Sequence, residues 1–357
     1  MSSIKNCHKI FPNRREKTKK VKCAVVGVGI FGEIHVHTYK TYDKAELVKI
    51  CDINEKRAKE IGEKYNVKYT TDYKEIAEDK EIQAVSVATP DFAHKDIVVE
   101  MLKNKKNVLV EKPMATSTKD AEIMVKEAKK SGKILMTDFH NRFNPYFIQI
   151  KESFDKGEIG DISFIYSRLS DRIDVPLKWF NWSGKSGPHW FLFPHIVDLV
   201  CWFSNSLPKK IFATGKKGIL SSYGVNTYDS VTGILDFGKF YATVETSWII
   251  PQSWPSIVDF YFKIEGSKGR LVVDFNEFVC KISSDIKNEL YFPFVIGNIT
   301  IDKKPFGFAS LPIQHFIDCI YENKKPIISP EDGYNNVKII EKIVESIEKD
   351  KIVEFER

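Results

Sequence analysis

The feature that most constrains this chain is the glycine triplet in Gly27-Val-Gly29-Ile-Phe-Gly32. It lies directly after the apolar run Val21–Val26 and directly before a helical pattern that starts near Phe31. Glycines at that spacing let the backbone turn tightly and approach a pyrophosphate, which then sits on the helix N-terminus. The pattern alone is weak; its strand–turn–helix context and an acidic residue about 20 positions on make it specific. Asp52, ending the next apolar run, is that residue. Its carboxylate can accept from the ribose 2′- and 3′-hydroxyls of NAD and repels a 2′-phosphate. NAD is therefore the expected cofactor, with Asn54 and Arg57 close enough to soften the preference. Gly27, Gly29, Ile30, Phe31, Gly32 and Asp52 are the expected contacts in this segment.

From Val21 to about Met136, short apolar runs alternate with amphipathic stretches. Val21–Val26, Glu46–Cys51, Ala84–Ala88, Asn107–Val110 and Lys133–Met136 read as buried strands, and Asn54–Tyr65, Ala93–Asn104 and Thr118–Ser131 as helices. That alternation predicts a doubly wound parallel sheet, a Rossmann α/β domain over residues 21–142. After Pro145 the pattern changes. A helix (Tyr146–Lys156) leads to a run at Ile162–Arg168, a loop rich in Trp and Gly, and a helix from about His195 to Phe203. Runs at Ile211–Gly215, Asp229–Phe237, Phe240–Trp248, Val258–Glu265 and Arg270–Val273 follow, joined by short turns. They imply a large, mostly antiparallel sheet. Two helices, about Pro312–Glu322 and Pro330–Lys349, close the chain. Residues 143–357 are thus expected to form an α+β domain for substrate binding and oligomerisation, its last helix packing back on the first domain.

The formal charge of +6 sits in the head of the chain. Residues 1–20 hold seven basic side chains and one acidic one, leaving 47 of each in the remainder. A neutral body offers no field to a nucleic acid, so none is expected as a partner, and residues 1–20 read as a disordered tail. No stretch approaches the roughly 20 apolar residues of a membrane span. The basic head and the apolar run after it imitate a signal peptide, but the run carries the glycine loop and no small-residue cleavage pattern follows. The six cysteines are scattered without a C-x-x-C pair, so neither a disulfide framework nor a metal site is expected. These points place the protein in reducing cytoplasm.

Further motifs carry a family resemblance. Ala88-Thr-Pro90 with His94, and then Glu111-Lys-Pro113 after the next strand, resemble the Gfo/Idh/MocA oxidoreductases. Phe139-His-Asn-Arg-Phe-Asn-Pro145, Gly157-Glu-Ile-Gly160, His195-Ile-Val-Asp198 and Ser329-Pro-Glu-Asp-Gly333 continue the likeness, which spans about Val21 to Glu354. The resemblance adds Thr89, Pro90, His94, Glu111 and Lys112 to the cofactor side. It implies that Lys112 exchanges a proton with the reacting oxygen, for which a partly desolvated lysine is suited. It also implies that His195 shares that oxygen, with Asp198 orienting or capping locally. Family polyol dehydrogenases commonly carry an Asp four residues before this histidine, where this chain has Phe191. Phenylalanine neither accepts a proton nor bonds a hydroxyl, so an ordinary inositol specificity is in doubt. His189 is a substitute polar group. Arg142, Trp179, Trp182, His189, Phe191 and His195 make up the expected substrate contacts, the tryptophans through sugar C–H faces, although their segment reads equally as a packed loop or subunit contact. Arg142 reads equally as an interdomain ion pair.

These residues imply hydride transfer between NAD and a hydroxyl carbon of a sugar, cyclitol or related polyol. The alternatives are a net non-redox sugar enzyme (a glycosidase or epimerase with retained NAD) and a non-catalytic NAD-binding regulator. The open face of the antiparallel sheet is expected to make a homodimer or homotetramer.

Overall fold

The computed structural model describes residues 19–356 apart from 278, 286–287, 292–296, 298 and 302–303. The basic tail expected over residues 1–20 lies almost wholly outside them.

The first half is built by strands buried on both faces, which only a sheet covered by helices on each side can accommodate. Strands β1 (Val21–Val26), β2 (Ala45–Cys51), β3 (Lys68–Thr70), β4 (Ala84–Val87), β5 (Asn107–Val110) and β6 (Leu135–Thr137) pair in parallel in the order β3-β2-β1-β4-β5-β6. Helices α1 (Ile30–Thr41), α2 (Glu55–Tyr65), α3 (Lys74–Glu78), α4 (His94–Lys103) and α5 (Thr118–Ser131) make the crossovers. Strand order reverses between β1 and β4, so the crevice beyond their C-terminal ends is where a ligand binds in such sheets. The glycine loop and Thr89-Pro90 both open there.

In the second half, α6 (Pro145–Asp155) leads to β7 (Ile162–Asp171). The single-turn α7 (Pro188–Phe191) and then α8 (Phe193–Ser204) follow. After them come β8 (Lys210–Lys216), the short α9 (Ile219–Ser222), β9 (Ser230–Asp236), β10 (Tyr241–Ser247), β11 (Val258–Gly266), β12 (Gly269–Asp274), β13 (Val279–Ser284) and β14 (Asn288–Tyr291). A small hairpin, β15 (Ile299–Ile301) and β16 (Lys304–Phe306), precedes α10 (Leu311–Tyr321), α11 (Pro330–Lys349) and β17 (Val353–Glu354). The large sheet runs β14-β13-β12-β11-β7-β10-β9-β8-β17. Its pairs are antiparallel except β7 with β10, which run parallel. Ile165, Leu169, Phe260, Phe262, Ala242 and Val244 point from it into one core with Phe193, Ile196, Val197 and Val200 of α8.

Helix α11 starts on a capping box, with Ser329 and Asp332 each bonded to the other's backbone N–H and Pro330 in the first turn. Its Val337 packs in the core of the parallel sheet, and its Ile339, Ile340 and Ile343 in the core of the large one.

Two boundaries differ from expectation where the site is built. β7 runs on to Asp171, because Ser170 and Asp171, polar enough to read as loop, pair with Asp259 and Val258 of β11. α8 opens at Phe193, since Pro194 fits a first helical turn.

Candidate active site

The cofactor end rests on two close approaches. Gly27 sits at φ +85°, and a Cβ there would lie 2.6 Å from the Ala88 carbonyl oxygen. A Cβ on Gly32 would lie 1.9 Å from the Gly27 oxygen, so both positions require glycine for packing alone. Gly29 differs: a Cβ there would meet nothing within 4 Å. It also caps α1 without a side-chain hydrogen bond, leaving the first helical N–H groups facing open space. That cradle fits a pyrophosphate. Gly29→Ala is therefore expected to keep the wild-type melting temperature and weaken NADH binding by about tenfold or more, roughly 1.4 kcal/mol. Calorimetric titration with unchanged affinity would show that the loop does not hold the cofactor.

Asp52 stands at the end of β2 with Oδ2 accepting from Val28 N (2.9 Å) and Oδ1 from Asn54 N (2.9 Å). The two residues expected to soften its preference are committed elsewhere. The Asn54 side chain caps α2, and the Arg57 guanidinium bonds Val28 O, Glu33 and Glu60.

Past β4, buried His94 places Nδ1 2.9 Å from Pro113 O and Nε2 2.9 Å from Thr89 O. It ties the Thr89-Pro90 turn to the Glu111-Lys-Pro113 turn and so positions both. Glu111 is also buried and bonds His35 Nε2 at 3.1 Å, while His35 Nδ1 lies 2.9 Å from Ser86 Oγ. Asp138 completes this cluster, 3.6 Å from His35 Nε2. Burial first, then Glu111, pushes Asp138 well above the carboxylate range. Burial pushes Glu111 the same way, but the bond and charge of His35 and then Lys112 hold it below its ordinary value. Beneath Lys112 the two carboxyls are thus pushed in opposite directions.

Lys112 itself is 5% exposed. Its Nζ donates to Phe191 O at 2.9 Å and sits 3.8 Å from the Phe191 ring centroid. Burial lowers its pKa against the opposing charges of Glu111, Asp171, Asp91 and Asp138. A lysine so placed exchanges protons closer to neutrality than a surface one. The ammonium opens on a cleft of about 280 Å³ shared with Phe31, His140, Asp171, Trp179, Phe191 and His195. His195 is buried with Nδ1 unpartnered, its ring 4.7 Å from that of His140. Burial pushes His195 well below its usual range and His140 down to about 4, so both rings are neutral and able to donate or accept.

Three expected substrate contacts are corrected. Arg142 turns from the cleft: its Nε and Nη2 donate to Asp198 at 2.9 and 2.6 Å, and Nη2 to Asp332 at 3.1 Å. The buried carboxylate of Asp198 on α8 and the half-buried one of Asp332 on α11 take the guanidinium that the substrate was expected to take. Asp198 is accordingly an ion-pair partner, not a cap. His189 lies edge-on to Tyr228 at 5.2 Å, outside the cleft lining, and burial pushes it down to about 3. Trp182 stands behind the wall, packed on Phe180 (4.9 Å) and Phe191 (6.3 Å), whereas Trp179 reaches the cleft and is 44% exposed. Sequence reasoning missed Asp171, Asp138, His35 and His140. His140 lay inside a recognised motif, and His35 one helical turn after Gly32; the two aspartates carried no local signal.

A doubly wound sheet with an open phosphate cradle, and a buried lysine lining a cleft shared with the second domain, define a nucleotide-dependent oxidoreductase architecture. Residues 21–139 match the model of the Gfo/Idh/MocA oxidoreductase family with its NAD-binding Rossmann fold, and residues 147–272 match that family's C-terminal domain. The chain belongs to this family. It is 27% identical over 322 residues to a myo-inositol 2-dehydrogenase of Thermotoga maritima, covering 88% of this chain and 92% of that one. It is 24% identical to the scyllo-inositol 2-dehydrogenase (NAD(+)) of Bacillus subtilis, over 90% of this chain and 92% of the other. A levoglucosan dehydrogenase solved with NADH and L-sorbose superposes with a TM-score of 0.83 over 95% of this chain and 100% of the other, at 19% identity, a likeness of fold.

Proposed function

We propose that this protein is an NAD-dependent dehydrogenase acting on a CH–OH group of a cyclic polyol or sugar. The observation that carries the reading is Lys112, buried in the cleft with its ammonium held on the Phe191 carbonyl and the neutral rings of His195 and His140 lining the same space. NAD, when bound, supplies the hydride acceptor. Gly29 and the first turn of α1 would hold its pyrophosphate, and Asp52 its adenosine ribose. Lys112 receives the hydroxyl proton in the oxidising direction and returns it in the reducing one. In its protonated form it stabilises the developing alkoxide, where a preorganised charge in a dry cleft has most effect. His195 shares that oxygen through Nε2 or Nδ1. Glu111, Asp138 and His35 hold the lysine turn in place.

The inositol dehydrogenases among the relatives support a polyol substrate, and the apolar cleft walls support one with C–H-rich faces. Assay of a panel of cyclitols, aldoses and anhydrosugars with NAD tests this: NADH formation with at least one is expected, and no turnover across the panel in either direction would overturn it. Asp52, with Arg57 already neutralised by Glu33 and Glu60, further predicts that NADH binds more tightly than NADPH. Equal or tighter NADPH binding by calorimetry would contradict that reading.

We also read the protein as a cytoplasmic homo-oligomer. In support, Phe212, Ile234 and Tyr241 are exposed on the uncovered face of the large sheet, with Phe212 and Ile234 directly cross-strand. Cys23, Cys51, Cys201 and Cys319 are free thiols. No helix among those residues is long and apolar enough to cross a membrane.

A further inference from the structure

The wall expected to carry a carboxylate at position 191 is phenyl, yet the cleft is not without an acid. Among the described residues that line it, Asp171 is the one carboxylate. It arrives from a different element, the C-terminal end of β7, where the inward–outward alternation of the strand gives way to continuous burial over Leu169, Ser170 and Asp171. The side chain is 4% exposed. Of the charged and titratable groups around it, Lys112 at the end of β5 is the one that attracts it, and His140 and His195 share the cleft. The Trp248 indole beyond β10, whose buried N–H has no other partner, is the side-chain donor beside it and, after Lys112, helps hold its pKa down. A carboxylate withdrawn from water with so few donors keeps unfilled acceptor capacity, which is costly unless something else fills it.

We propose that Asp171 is the substrate-facing carboxylate of this cleft, accepting a hydrogen bond from the hydroxyl next to the reacting carbon of a vicinal diol, while the Phe191 ring covers an apolar face of the same molecule. This rests on the dehydrogenase reading above. It narrows the substrate to cyclic compounds that have two neighbouring hydroxyls on one edge and a deoxy, anhydro or C–H-rich edge toward Phe191. Moving the acceptor from α7 to β7 changes which hydroxyl around the ring is read, so a fully hydroxylated cyclitol presents a stranded hydroxyl to Phe191.

The test compares wild type, Asp171→Ala, Asp171→Asn and Phe191→Asp on the best panel substrate and its analogue lacking the neighbouring hydroxyl. Wild type is expected to prefer the diol. Asp171→Ala is expected to erase a preference of about 5–150-fold, the range that an unpaired hydroxyl implies. Asp171→Asn, which keeps an acceptor oxygen, restores part of it. Burial holds Asp171 near pKa 7 against the pull of Lys112, so wild-type kcat/KM on the diol rises with pH through about 7 as the carboxylate forms. That limb is absent in the Asn variant. Phe191→Asp shifts preference toward fully hydroxylated rings. NADH affinity measured by calorimetry checks that each variant is folded. If wild type turns over the diol but Asp171→Ala keeps its full preference, or loses rate on both compounds alike, Asp171 does not face substrate. If wild type turns over nothing on the panel, the dehydrogenase reading has failed instead.

Discussion

Lys112→Ala is expected to lose about 10²–10⁴-fold in turnover while binding NADH within a few-fold of wild type. The separation follows from where the side chain points. The cradle at Gly27, Gly29 and Gly32 lies at the start of α1, whereas Lys112 Nζ is anchored on the Phe191 carbonyl across the cleft. Removing the ammonium takes away both the proton carrier and the positive charge that meets the alkoxide, and leaves the dinucleotide contacts in place. Lys112→Arg would not restore the rate, since guanidinium does not give up its proton near neutrality. Steady-state rates on the panel substrate, paired with calorimetry, decide it. Near-normal turnover in the alanine variant would remove Lys112 from the chemistry.

The second large effect is on stability. Asp198→Ala is expected to destabilise the fold by about 3–5 kcal/mol, the cost of leaving a buried charge without its partner. Arg142 is 5% exposed and Asp198 3%, and the two share a pair of hydrogen bonds of 2.9 and 2.6 Å. Asp332, a third exposed, remains but supplies a single contact. The cluster joins the segment after β6 to α8 and α11, so its loss loosens the seating of α8 and of α11, the helix that packs in both cores. Thermal unfolding of this variant should fall well below wild type. A double variant, Arg142→Met with Asp198→Leu, should recover much of the difference, because it buries no unpaired charge. An unchanged melting temperature for Asp198→Ala would show that the pair contributes nothing net.

The parts of the molecule legible in the sequence are those written by periodicity and backbone need. The β1–glycine loop–α1 unit was readable because close packing against Ala88 and Gly27 excludes any side chain, and the buried parallel strands because both faces demand apolar residues. Lys112 was readable through its flanking motif. What escaped was decided by tertiary partners. Arg142 looked as able to meet a substrate as an ion pair until Asp198, 56 positions on, was seen to occupy it. His189 and Phe191 share one turn of helix, and only the packing of α7 shows which of them faces the cleft. Asp171 was hidden for the opposite reason. A polar residue at the end of an alternating strand reads as the start of a loop, and its burial comes from pairing with β11 and from the aromatic walls around it. The parallel β7–β10 pair escaped because alternation does not encode direction.

The account rests on direct hydride transfer from a substrate hydroxyl carbon in the cleft above Lys112. The most direct measurement uses a panel substrate deuterated at the carbon that is oxidised, incubated with the protein and NAD, followed by mass analysis of the recovered cofactor. The account predicts NADH carrying one deuterium, formed in step with the ketone product and slowed strongly in Lys112→Ala. Ketone appearing with unlabelled cofactor, or labelled substrate consumed without any reduced cofactor forming at any stage, would contradict it.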